Sequence, residues 1–322
     1  MESPLHEARR PASVARPSLP AVLLYCYFSY MAVEAFLFTL SLRERALVVG
    51  LNLLACATVL MLERNAATRR SRFLAVVRDW LPCILILVAY REAGLLFLPD
   101  PSHRLDHIFI RWDAMLLRNP WVTSALTMGS PWLQRYLEFS YFLCYPVVPL
   151  GVATLYLTRQ RVAPGGTCPD TVGSPANAVL KSGATGRRLV SALEQYWTAV
   201  LIAALTCYVL FPLFPLTPPR ELFHDLPGPH GASGLRGLNH WLLNRYAVGA
   251  SLFPSGHVAS ATAAALVIRR YVPRAGSVFL IVAISIALAT IYGRYHYAAD
   301  ALAGAVVGLA AYLVSCRVSG RA

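Results

Sequence analysis

Long unbroken apolar runs are the feature that most constrains this chain. They recur near Ala21–Leu40, Ala46–Leu62, Trp80–Leu98, Trp132–Leu157, Trp197–Leu216, Gly256–Val267, Gly276–Tyr292 and Ala301–Val314. That is roughly eight candidate spans of a bilayer, the sixth being the shortest. The runs are continuous and do not alternate at period two, so they predict helices and not a barrel. The expected fold is all-α, a polytopic membrane helical bundle with about eight transmembrane helices.

Composition agrees and excludes other classes. The chain is 57% hydrophobic and 14% charged, with mean hydropathy +0.51, whereas a soluble domain averages about 25% charged residues. A net charge of +13 is compatible with nucleic-acid binding. The arginines flank apolar spans, however, so no nucleic-acid partner is expected. The seven cysteines form no Cys-x-x-Cys pair and lack zinc spacing, which makes them small apolar fillers.

Five segments follow from this pattern. Residues 1–20 are expected as a disordered cytoplasmic N-terminus and 21–162 as an N-terminal transmembrane half. Residues 163–190 form a flexible cytoplasmic linker, 191–316 a transmembrane core and 317–322 a cytoplasmic tail. Arginine placement favours both termini on the cytoplasmic side. Arg9, Arg10, Arg16, Arg64, Arg69, Arg70, Arg72, Arg78, Arg159, Arg161, Arg187, Arg188, Arg269, Arg270, Arg274, Arg317 and Arg321 then lie inside, with Lys181. The outer segments hold about half as many, Arg43, Arg45, Arg104, Arg111 and Arg118 among them. In this arrangement Arg220, His257, His296 and Asp300 all meet on one non-cytoplasmic face.

Two short segments carry the chemistry, Phe253-Pro254-Ser255-Gly256-His257 and Arg294-Tyr295-His296-Tyr297-Ala298-Ala299-Asp300. In the first, proline and glycine precede an alanine-rich helix. The free N–H groups of its first turn attract an anion, Gly256 lets an oxygen approach, and the Ser255 hydroxyl adds a donor. His257 can protonate a departing oxygen. In the second, His296 and Asp300 are four apart and share a helical face. Asp300 can fix the imidazole tautomer and leave the other nitrogen nucleophilic. A third segment, Phe214-Pro215-Leu216-Thr217-Pro218-Pro219-Arg220, ends a span with prolines and presents Arg220 for bidentate phosphate contact. Arg294 is a second candidate cation. The set is catalytic His296, His257 and Asp300 with phosphate-binding Arg220, Ser255, Gly256 and Arg294. It implies no metal and no cofactor.

Together the three segments resemble the type 2 phosphatidic acid phosphatase superfamily over roughly Phe211–Gly304. The resemblance implies a membrane hydrolase acting through a phosphohistidine. The residue matching His296 is then the nucleophile, Asp300 its orienter and His257 the general acid. Leu213 stands where that family carries a lysine ahead of the first-motif arginine, and Thr290 where it carries an arginine ahead of the third-motif histidine. The Thr290, Tyr292, His296, Tyr297, Asp300 pattern and the Pro-Pro-Arg element are similar to the branch containing inositol phosphorylceramide synthases. That branch implies a headgroup phosphotransferase as the alternative to a phosphatase. A non-catalytic lipid-phosphate transporter is the alternative of another class. The expected partners are a lipid phosphate substrate and membrane lipids, and a homo-oligomer is compatible with the sequence. The expected location is a cell membrane, with the site on the periplasmic, extracellular or lumenal side.

Other ionisable residues are read more plainly. Glu34, Tyr90, Arg91, Glu92, Arg135 and Glu138 are expected to form internal pairs. Asp106, Asp113, His103 and His107 read as solvated loop charge. His224, His230 and His240 lie in the outer loop between the first two motifs. Leu235–Tyr246 is a short amphipathic stretch suited to the interface.

Overall fold

Pro146 shows how sequence becomes architecture here. A proline inside a helix lacks the N–H and meets the carbonyl of the preceding turn. The run expected as one span, Trp132–Leu157, is accordingly two helices, Pro131–Phe142 and Val147–Leu157, bent by 74°. The structure, a computed structural model, describes residues 17–38, 40–67, 71–96, 105–117, 130–158, 182–222, 234–248 and 251–319. Among these are 12 helices. We number them α1 Leu19–Leu37, α2 Leu42–Ala67, α3 Arg72–Leu95, α4 Asp106–Leu117, α5 Pro131–Phe142, α6 Val147–Leu157 and α7 Ser182–Leu210, followed by α8 Pro219–Leu222, α9 Gly234–Tyr246, α10 Gly256–Tyr271, α11 Pro273–Tyr292 and α12 Ala298–Ser319. The one ladder, β1 Pro215–Leu216 with β2 Ser251–Leu252, is two residues long and antiparallel.

Local signals set the helix starts. Ser18, Ser71, Ser130 and Ser255 are N-caps whose hydroxyls accept from the N–H groups of Ala21, Leu74, Leu133 and Val258, satisfying donors that have no partner inside the helix. α1, α2, α3, α7, α11 and α12 are long and apolar enough to cross a membrane, and the bent pair α5–α6 passes the same test when its two helices are taken together. The chain is thus a multi-pass helical bundle. The expected sixth span is α10, with 16 residues. It rises about 24 Å, short of a hydrocarbon core of about 30 Å. It is sheathed by α7, α11 and α12, so it is an inner helix and not a lipid-facing span. α7 begins at Ser182, which makes the last part of the expected linker helical. Residues 1–16, 163–181 and 320–322 lie outside the described residues.

Small residues let these helices approach. Ala259, Ala261, Ala263, Ala264 and Ala265 of α10 have no exposed surface. On α12, Gly304 and Gly308 sit one turn apart on the face that meets α10. A Cβ at Gly304 would lie 2.5 Å from the Ser255 carbonyl oxygen, and one at Gly308 2.5 Å from that of Ala259. Only glycine permits backbones this close, the packing mode that suits helices in lipid.

Polar tethers define the two ends of the bundle. At one end, Ser18 N and Oγ donate to Glu63 at 3.2 and 3.1 Å, and Tyr156 donates to Asp79 at 2.6 Å. There too the Trp197 indole donates to the Asp79 carbonyl at 2.8 Å, and Gln195 joins Tyr271 to Ser315. The start of α1 and the end of α12 therefore share this end. The chemistry-bearing motifs share the other.

Candidate active site

Main-chain hydrogen bonds fasten the three motifs together before any side chain is considered. After α7 the chain makes one tight turn at Phe211–Leu213. Pro215 and Leu216 then pair with Leu252 and Ser251, which zips the first motif to the second. Arg220 N donates to the Arg294 carbonyl at 3.0 Å, and Ser255 N donates to the Asp300 carbonyl at 3.0 Å. Arg294 itself has φ 57, a left-handed conformation uncommon for a residue other than glycine. It turns the chain so that Tyr295 N and His296 N both donate to the Thr290 carbonyl, at 2.9 and 3.1 Å.

On this frame the two histidines converge. The rings of His257, in the first turn of α10, and His296, ahead of α12, have centroids 6.3 Å apart and stand nearly perpendicular at 78°. His296 Nδ1 lies 3.3 Å from Asp300 Oδ2. The Asp300 side chain is fully buried, and the same oxygen accepts from Tyr297 N at 3.1 Å. With Nδ1 turned to the carboxylate, Nε2 is the nitrogen left for chemistry. A cavity of about 40 Å³ opens beside the pair. Its lining includes Arg220, Gly256, His257 and His296, with Tyr90, Tyr141, Tyr208 and Tyr295 as aromatic walls.

The other expected site residues take supporting positions. The Ser255 hydroxyl accepts from Val258 N and so caps α10, a use distinct from donating to an anion. A Cβ on Gly256 would meet the Tyr208 ring at 3.2 Å and Phe211 at 3.6 Å. Its glycine therefore answers helix packing as well as ligand approach. Arg294 contributes its carbonyl to Arg220, and its guanidinium is not part of the cavity lining. Burial first, and the Arg236 charge second, hold its pKa below the usual value. Leu213 is exposed, and the buried Thr290 hydroxyl donates to the Ala287 carbonyl at 2.7 Å. Neither position offers a substitute cation. Among the described residues no three His, Cys, Asp or Glu side chains are grouped as metal ligands.

Several residues differ from their sequence reading. Asp106 and Asp113 were expected as solvated loop charge, and both are bonded into the site's frame. Asp106 accepts from Thr217 N at 2.7 Å and Thr217 Oγ1 at 2.8 Å. Asp113 accepts from Ala298 N at 2.8 Å and Ala299 N at 3.3 Å. The loop reading failed because α4 is too short to register as a span. His107 is exposed as expected, and His103, His224 and His230 lie outside the described residues. His240 is half-buried, its ring against Tyr295.

Of the expected internal pairs, Glu138 forms one. It accepts from Arg236 at 3.1 Å, from Asn239 at 2.8 Å and from the Tyr295 hydroxyl at 2.8 Å. Tyr295, the neighbour of His296, also stacks on Tyr141 at 3.8 Å. Arg135 instead lies over the Trp132 ring, and Arg91 donates to the Tyr246 carbonyl. Glu92 is buried without a hydrogen-bond partner among the described residues. The pattern Glu138…Tyr295 has no short-range signature, since 157 residues separate the two.

Residues 182–314 match the family model of the PAP2 superfamily. All seven expected site residues fall within that stretch. The match supports, over this stretch, the resemblance to the type 2 phosphatidic acid phosphatase superfamily. No curated protein and no solved structure matches the chain.

Proposed function

We propose that this chain is a PAP2 superfamily protein that releases or transfers a phosphoryl group of a membrane lipid through a phosphohistidine at His296. The superfamily comprises phosphatases and phosphotransferases, so a lipid-phosphate chemistry is the general expectation. The observation that carries the specific reading is the His257–His296 pair, 6.3 Å apart with Asp300 behind one ring. A phosphorus atom placed between them is within reach of both, near the ~3–3.5 Å of an attack-ready geometry.

In the first step His296 Nε2 attacks phosphorus and the bond to the lipid oxygen breaks. His257 gives that oxygen its proton. In the second step an incoming hydroxyl passes its proton to His257 and displaces His296 from phosphorus. Arg220 and the first N–H groups of α10 offset the charge on the equatorial oxygens. Asp300 holds the imidazole orientation throughout. No step calls for a metal. Arg294 serves this scheme better as the holder of Arg220 than as a direct clamp. His296→Ala in the purified protein is expected to lower turnover by roughly 10⁴-fold or more while the bundle still folds. Wild-type phosphate release by that variant would sink the scheme.

A headgroup phosphotransferase is the second reading. It is favoured by the cavity walls, where Tyr90, Tyr208, Phe211 and Leu243 form a seat suited to a lipid alcohol more than to bulk water. Mass spectrometry of lipid products with a diacylglycerol or ceramide acceptor separates the two. A phosphorylated acceptor means transfer, and free phosphate alone means hydrolysis.

The site is proposed to face away from the cytoplasm. Arginine distribution supports this, as does the placement of the start of α1 and the end of α12 at the bundle end opposite the histidines. Hydrolysis of a membrane-impermeant lipid phosphate by intact cells is the expected result. Activity appearing only after permeabilisation would reverse the orientation.

A further inference from the structure

We propose that α4 is a clamp that holds the site's motifs in register, with Asp106 and Asp113 as positioning residues. The proposal rests on the catalytic reading above. It assigns a catalytic contribution to a helix outside the 182–314 stretch that carries the superfamily match.

α4 has 12 residues and rises about 18 Å, too short to cross a bilayer. Asp106, Phe109 and Asp113 are spaced three and four apart and so share one face. Each grips a different part of the site. Asp106 takes both the N–H and the hydroxyl of Thr217, just ahead of Arg220. Phe109 is buried, its ring 5.0 Å from Phe253 and 5.8 Å from Tyr297. Phe253 leads the Pro-Ser-Gly-His segment, and Tyr297 follows His296. Asp113 takes the N–H groups of Ala298 and Ala299, the first two of α12. Trp112, its ring 5.0 Å from that of Phe109, and Met115 on the opposite face are both exposed, as suits a helix lying at the headgroup layer.

The Asp113 contact acts as an N-cap supplied from 185 residues away. The chain offers no local substitute. Tyr297 N donates inward to Asp300, and the α12 donors need an acceptor of their own. Asp300 sits in that first turn, so the cap sets where the carboxylate meets His296. A shift of about 1 Å in such a geometry costs around 10²-fold in rate. Asp106 acts on the other side, through the strand that delivers Arg220. The two acids therefore bear on different kinetic constants.

The test uses the full-length protein in lipid nanodiscs, with a short-chain phosphatidic acid as substrate and vanadate as phosphate mimic. Asp113→Ala is expected to lower kcat about 10- to 100-fold with KM within about twofold. Asp106→Ala is expected to raise KM and the vanadate inhibition constant about tenfold, with the smaller effect on kcat. Asp113→Asn, whose amide oxygen still accepts, should restore kcat to within about threefold. Met115→Ala on the outer face should match wild type. Amide hydrogen exchange at Ala298 and Ala299 should quicken in Asp113→Ala, and at Thr217 in Asp106→Ala. Equal losses of kcat and KM in both variants, or Asp113→Asn as poor as Asp113→Ala, would overturn the positioning role. So would faster exchange without any kinetic change. A wild type that turns over no lipid phosphate, yet protects these amides, overturns the catalytic reading and leaves the clamp standing.

Discussion

The seam between α10 and α12 and the outer helices α1 to α3 are held by different physics. In the inner bundle, 72% of the apolar stretch of α7 is buried, against 39%, 28% and 22% for α1, α2 and α3. Around α10 the contacts are alanine on glycine, backbone to backbone. The N-terminal half meets the C-terminal half through large side chains and a few long-range hydrogen bonds, such as Trp197 to the Asp79 carbonyl and Arg91 to the Tyr246 carbonyl. Lipid is as apolar as leucine, so burial by itself does little to associate helices in a membrane. Shape fixes the inner half, and polar tethers fix the outer half to it. The two should therefore break differently.

The largest effect is expected at the seam. Gly304→Val would press its side chain into the Ser255 carbonyl, 2.5 Å from where the Cβ must sit. The neighbour is backbone, so it cannot yield by changing rotamer. Separating α10 from α12 also separates His257 from His296. The expected outcome is loss of activity together with roughly 3 kcal/mol of stability. It is read by phosphate release and by thermal unfolding in detergent. Full activity in Gly304→Val would show that the seam is looser than its geometry.

The helices of the inner half were legible in the sequence, whereas the tethers were not. Apolar runs announce helices because their length is a local property, and the four-residue spacing of His296 and Asp300 announces their contact, although His296 lies in the turn ahead of α12 and not on a shared helical face. The bend at Pro146 was legible in principle, but the apolar run masked it. Asp106, Asp113 and Glu138 look like ordinary charges, because what makes them structural is a partner 111, 185 or 157 residues away. The Ser255 hydroxyl reads equally well as an anion donor or a cap, and the Val258 N–H contact shows the cap while leaving the hydroxyl proton available to donate. Arg294 reads as a cation, while its left-handed backbone and its carbonyl contact to Arg220 are invisible in its letter.

Next in size is the tether at Glu138. Glu138→Gln keeps an acceptor for Asn239 and Tyr295 but loses the charge that faces Arg236. About 2 kcal/mol of stability should go with it. The Tyr295 ring should remain on Tyr141, so activity should fall less than stability does. Thermal unfolding and turnover, measured on the same preparation, give the ratio. A variant that keeps its stability but loses its turnover would move Glu138 from the frame into the chemistry.

Asp113 offers a smaller, pH-dependent contrast. Burial pushes its carboxyl up to about 6 from the usual carboxylate range. The two N–H donors pull it back down, and the Asp300 charge adds to the rise. The folded protein thus holds this proton more tightly than the unfolded chain does. Between about pH 4 and 6 folding binds the extra proton, so stability falls as pH rises through that window. Above about pH 6 the cost of keeping the carboxylate ionised is fully present. Asp113→Asn cannot titrate and keeps an acceptor for α12. Its melting temperature should exceed that of wild type at pH 8, and the gap should close as pH falls toward 4. A gap that stays constant with pH would mean that Asp113 is not the titrating group.

The smallest effect is expected on the lipid-facing side of α3. Ile84 and Leu87 are 61% and 64% exposed on the bundle surface, whereas Leu85 is 5% exposed. In water, removing two such side chains from view would be stabilising or neutral. In a bilayer they already sit in a medium like themselves, so nothing is gained or lost by truncation beyond a few dispersion contacts that acyl chains replace. Ile84→Ala with Leu87→Ala should change stability by less than about 0.5 kcal/mol and leave phosphate release unchanged. That null result would hold for α3 only if its association depends on tethers such as Tyr27 to Ala89 and not on its outer surface. A marked loss would instead place a further helix, from this chain or from a second copy, against that face.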